Sequence, residues 1–130
     1  MTPEAETILL NKLTAVIRDL RDAGADDGEA MFMLGAGADY LCQTAGTAAW
    51  PELKARLGST EKLGLLAHID KEGQAANAEG KVKLAYALQI LGLSVTATAA
   101  ESPHVHAAAS LLDDLIVPAL ANYRKHATRN

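Results

Sequence analysis

From Leu84 to Ala100 the chain reads LAYALQILGLSVTATAA without one charged residue. Such a segment has few places to go: across a membrane, into the middle of a sheet, or into the centre of a helical bundle. It is shorter than the roughly 20 residues a spanning helix needs, and it carries Gln89, Ser94, Thr96 and Thr98. The remaining two readings compete on periodicity. Val82, Leu84, Tyr86, Leu88 and Ile90 alternate as a strand would, whereas Leu84, Leu88, Leu91 and Val95 match a helix. Strands are usually shorter than this, the alanine, leucine and glutamine content favours helix, and no second strand pattern offers a partner. The segment is expected to be a buried helix with no membrane role.

A central helix needs others around it, and the flanking sequence supplies them. In TPEAETILLNKLTAVIRDLRDAG, Thr2 is placed to cap and Pro3 occupies the first helical position. Leu9, Leu13, Val16 and Leu20 form its apolar stripe, Leu10 and Ile17 widen it, and Gly24 is a suitable stop. Asp26, with Glu29 three residues on, marks a second helix start, ending before Gly46. TAAWPELKARLG predicts a short helix from about Pro51 to before Gly58, and the segment opening on Ser59 carries Leu63, Leu66 and Ile69, with Gly73 and Gly80 as fraying or turn positions. Ser102 and Pro103 open a last helix with an inner stripe of Ala108, Leu111, Leu112, Leu115, Ala119 and Tyr123, expected to kink at Pro118. The apolar content of 49% includes only 4% aromatic residues, so it is chiefly aliphatic and alanine. The expected fold is all-α: a compact single domain over residues 1–130, a bundle of five or six helices.

Met33 to Cys42 reads MLGAGADYLC, and its glycines raise the question of a phosphate loop. A dinucleotide fingerprint needs a third glycine, where Tyr40 stands, and a P-loop needs a lysine that is absent. On a helix, Met31, Leu34, Ala38, Leu41 and Ala45 form one stripe, and Gly35 with Ala38 leaves a shallow groove for a neighbouring helix. Each glycine costs about 0.8–1 kcal/mol against alanine in a helix, so a packing or bending role is expected of the pair. Asp39 is expected to point outward into solvent; burial would demand partners. Cys42 lies beside the stripe and reads as a small core residue, with no base nearby to activate it.

The titratable residues do not assemble into a signature. His104 and His106 diverge by about 200° on a helix, unlike the i, i+4 pairs of helical zinc sites. His106 and Asp113 share a face but lie roughly 10 Å apart along it, too far for one ion. His68 and Glu72 have the spacing of a surface pair. Asp113 and Asp114 point about 100° apart, and Asp22 to Glu29 lacks the oxygen spacing of a calcium loop. No metal site and no cofactor are expected, and no catalytic residue is assigned; Asp39, His68 and His106 are acid–base candidates that the spacing does not unite.

The formal net charge of −4 disfavours nucleic acid and anionic membranes, and the YRKHATRN tail reads as a helix end whose cations meet the dipole. One cysteine and an opening MTPEAETILL without a positive n-region point to the cytoplasm. The expected function is a non-enzymatic helical interaction module that self-associates, a dimer favoured, with a protein partner as a further option. The alternative is a small-ligand-binding or regulatory domain with a pocket between helices, drawing on Gly35, Gly37, Asp39, His104 and His106.

Overall fold

The computed structural model describes residues 2–57, 59–98 and 102–127. Among them are six helices and no strand: α1 (Pro3–Asp22), α2 (Asp27–Ala45), α3 (Trp50–Arg56), α4 (Ser59–Ala78), α5 (Val82–Thr98) and α6 (Pro103–Ala127). The helix ends follow local chemistry. Thr2 Oγ1 accepts from Ala5 N at 3.1 Å and Asp26 Oδ1 from Glu29 N at 2.8 Å, each satisfying an amide left over at a helix start. At the other ends Gly24 and Gly46 take φ of +99° and +71°. That left-handed turn lets Ala25 N reach Leu20 O and Thr47 N reach Cys42 O, so both helices close with the same doubly bonded stop.

The charge-free segment is a helix, and it is the centre of the bundle. α5 packs against α1, α2, α4 and α6, with Ala87, Ile90, Leu91, Leu93, Val95 and Ala97 all buried. A helix apolar all round needs this surrounded position. No helix among the described residues is long and apolar enough to cross a membrane. Ala99 and Ala100, the end of the charge-free run, lie outside the described residues, as does Gly58.

α1 buries the four residues its periodicity selects, Leu9, Leu13, Val16 and Leu20. α6 follows its expected stripe at Leu112 and Ala119, with Ala108, Leu115 and Tyr123 half-buried, and departs from it at Leu111. Val105, Ala109, Leu112, Ile116, Ala119 and Leu120 are buried, while Leu111 is 63% exposed. The long apolar run Leu111 to Val117, broken only by two aspartates, fits more than one helical face, and Asp113 decides between them by its partners described below. α6 is continuous through Pro118, whose ring nitrogen has no proton for the Asp114 carbonyl. α4 runs unbroken through Gly73 to Ala78, which corrects the expectation there, while the chain turns at Gly80 as expected. α4 packs chiefly on α5, burying Ile69 and Ala76 while Leu63 stays 69% exposed.

Candidate functional site

Three polar arrangements and two hollows stand out from this frame. The first arrangement knots α3, α5 and α6 together. Lys54 Nζ donates to Asp113 Oδ2 at 2.5 Å and to Ser94 Oγ at 3.2 Å, and Ser94 Oγ donates to Asp113 Oδ1 at 2.7 Å. Trp50 Nε1 completes it, 3.2 Å from Asp113 Oδ1 and 3.4 Å from Ser94 Oγ. Serine, lysine and aspartate in one cluster are the ingredients of nucleophilic catalysis. Here, however, Trp50 and Ser94 have no exposed surface, and Lys54 keeps 11% of its side chain accessible. No substrate atom reaches the serine, so the cluster binds three helices rather than a ligand. Sequence reasoning weighed Asp113 only against Asp114 and His106; its true partners stand 19 to 63 positions away.

The second arrangement holds the end of α6. Arg124 Nε donates to Asp39 Oδ1 at 2.8 Å, its Nη1 reaches the Ala48 carbonyl, and Gln43 Nε2 donates to Asp39 Oδ2 at 2.8 Å. Asp39 is therefore turned into the α2–α6 contact, its side chain 15% exposed, instead of standing free in solvent. The paired guanidinium offsets the cost of burying the carboxylate. Cys42 lies alongside, fully buried, and burial pushes its thiol pKa upward against the opposite pull of the nearby Thr47 hydroxyl and Arg124.

The glycines beside Asp39 face helices. A Cβ on Gly35 would stand 2.7 Å from Tyr123 Cβ and 2.9 Å from the Ala119 carbonyl carbon, so α6 passes where any ligand at Gly35 would have to sit. A Cβ on Gly37 would meet only the tip of Leu91, at 2.8 Å. His104 and His106 are exposed in the first turn of α6. At 1.5 Å per residue His106 is roughly 27 Å along the helix from Arg124, so the structure does not bring the histidines to Gly35, Gly37 and Asp39. No group of three or more His, Cys, Asp or Glu among the described residues is placed to hold a metal ion.

The third arrangement and both hollows belong to α4. On one flank a groove of about 600 Å³ runs between α1 and α4 with α5 as its floor. Leu66, Ile69, Val82, Leu88 and Leu93 supply apolar surface, and its lining includes one cation from α1, Lys12, and one anion from α4, Asp70. On the other flank a cleft of about 330 Å³ lies between α4, the end of α2 and α3, lined by Leu41, Ala45, Leu57 and Leu65 with Thr47, Arg56, Glu61 and His68. His68 is half-buried and stacks on Tyr40, ring centroids 5.8 Å apart; among the described residues no ion pair joins it to Glu72. Its Nε2 and the Thr47 Oγ1 are buried without a hydrogen bond. Each such atom costs about 1–3 kcal/mol in lost hydration. Neither hollow was legible in the sequence, because each depends on how α4 sits, and α4 has the least regular apolar pattern.

The described residues thus form a six-helix bundle whose fourth helix is flanked by two open hollows. Compared with known protein families, with characterised proteins and with solved structures, it matches none.

Proposed function

We propose that this protein is a non-enzymatic interaction module that self-associates as a two-fold symmetric dimer through the groove between α1, α4 and α5. The observation that carries this reading is the groove's own charge arrangement. A two-fold interface sets residue i of one copy against residue j of the other, and j against i. With one cation contributed by α1 and one anion by α4, Lys12 and Asp70, the groove can be complementary to itself. Two copies placed face to face form two Lys12–Asp70 pairs, one on each side of the two-fold axis, over an apolar floor. Leu63 at 69% and Val82 at 42% exposed extend the apolar surface along the same helices. Charge segregation of this kind contributes register more than affinity, and the apolar floor supplies the driving force.

The closed Ser94–Lys54–Asp113 cluster supports a non-enzymatic role, since its hydroxyl is sealed from solvent. The buried, unpaired Cys42 supports a reducing, cytoplasmic setting, and the net charge of −4 supports a protein surface over nucleic acid. The test is sedimentation velocity of the untagged chain across the micromolar range. The expected species has twice the 13.6 kDa chain mass. A single monomeric boundary at every concentration contradicts the reading.

A further inference from the structure

Among the described residues two buried side-chain polar atoms make no hydrogen bond, Thr47 Oγ1 and His68 Nε2. Both residues line the same cleft, the one between α4, α3 and the end of α2. The Thr47 hydroxyl lies close enough to the Cys42 sulfur to pull on its thiol, but neither it nor His68 Nε2 meets a partner at hydrogen-bond distance and angle. The large majority of buried polar atoms are satisfied in folded proteins, and two orphaned atoms on residues that line one hollow ask for a partner from outside. Leu41, Ala45, Leu57 and Leu65 give the hollow an apolar lining, and Arg56 and Glu61 set one charge of each sign among its residues.

We infer that this cleft is a binding site for a small, uncharged, mainly aliphatic molecule carrying a hydroxyl group. The hydroxyl both donates and accepts, which is what a threonine oxygen and a ring nitrogen together require. The aliphatic body takes the leucine-lined part of the hollow, and the balanced charges give no net attraction for an ion. Both orphaned atoms are closed off from water in the empty protein, so the ligand is met by side-chain rotations of Thr47 and His68, the ordinary scale of adjustment on binding. The position of the cleft makes this site separate from the self-association groove, which lies on the opposite flank of α4.

The test is a titration of the isotopically labelled full-length chain with 1-hexanol and, separately, with hexanoate, followed by amide chemical shifts. Hexanol is expected to give saturable shifts centred on Thr44 to Thr47 and on Leu65 to His68, with hexanoate binding about tenfold more weakly because its charge must be desolvated. The isosteric Thr47→Val change is expected to weaken hexanol about fivefold to tenfold, the loss of one neutral hydrogen bond. It is expected to leave the sedimentation of the chain unchanged. Shifts that do not saturate, that centre away from the cleft, that are matched by hexanoate, or that survive Thr47→Val unaltered would overturn the inference. Failure here with the dimer intact leaves the proposed function standing.

Discussion

Gly35 and Gly37 are two positions apart in one helix and have opposite prospects. A methyl group on Gly35 meets the backbone of α6 and the root of Tyr123, neither of which swings aside, so Gly35→Ala is expected to destabilise by about 1–3 kcal/mol through overpacking. A methyl group on Gly37 meets only the flexible end of Leu91, and alanine is the better helix former, so Gly37→Ala is expected to be neutral or stabilising by up to about 1 kcal/mol. Urea denaturation of the two variants separates these outcomes. Cys42 supplies a second residue-scale expectation. Its thiol is buried and its pKa raised, which keeps the reactive thiolate scarce. Alkylation by iodoacetamide at mildly alkaline pH is expected to be far slower in the native chain than in urea, and the native rate should begin to rise only at a higher pH than that of a free cysteine. Equal rates in the two conditions would contradict the burial. At this scale the sequence showed that two glycines so close in a helix imply a near neighbour, and that Cys42 belongs to the core. It placed Gly35 in a groove for a neighbouring helix, which is where α6 passes, but it did not show that Asp39 turns inward, because the partner that makes burial tolerable, Arg124, stands 85 positions away.

Among the elements, legibility tracks how strongly one face differs from the other. α1 separates its leucines from its charges, and every core position in it follows from spacing. α5 has no strongly polar face to orient it, yet the absence of charge from Leu84 onward points to the centre of the bundle. α6 carries apolar residues on several faces, so spacing admits Leu111 to the core as readily as Ile116. The structure chooses Ile116 and Leu112, which leaves Asp113 half-buried against Trp50, Lys54 and Ser94. That knot holds the short α3, whose seven residues form too short a helix to persist without tertiary contacts. Lys54→Met is expected to cost about 1–3 kcal/mol, because it leaves a partly buried carboxylate with only neutral donors. The Lys81–Glu79 pair is 62% exposed on both sides, so Lys81→Met is expected to change stability little. Denaturation midpoints of the two variants compare a tertiary ion pair with a superficial one; equal effects would remove the knot from the account.

For the molecule as a whole, the placement of α4 matters most. α1, α2 and α6 share the core around α5, while α4 is laid chiefly on α5 and leaves a hollow along each flank. Composition and periodicity gave the all-helical class and an apolar surplus, but not where that surplus lies, since α4 distributes its leucines around its circumference. The groove beside α1 is where self-association is proposed, and its lining charges provide a direct test. Sedimentation equilibrium of Lys12→Glu, of Asp70→Lys and of the double exchange measures whether the two positions face each other across the interface. Each single change sets like charges opposite one another and is expected to weaken the dimer about tenfold, whereas the double exchange restores the pairing and is expected to recover most of the loss. Single changes without effect, or a double exchange no better than the sum of its parts, would contradict the proposed interface.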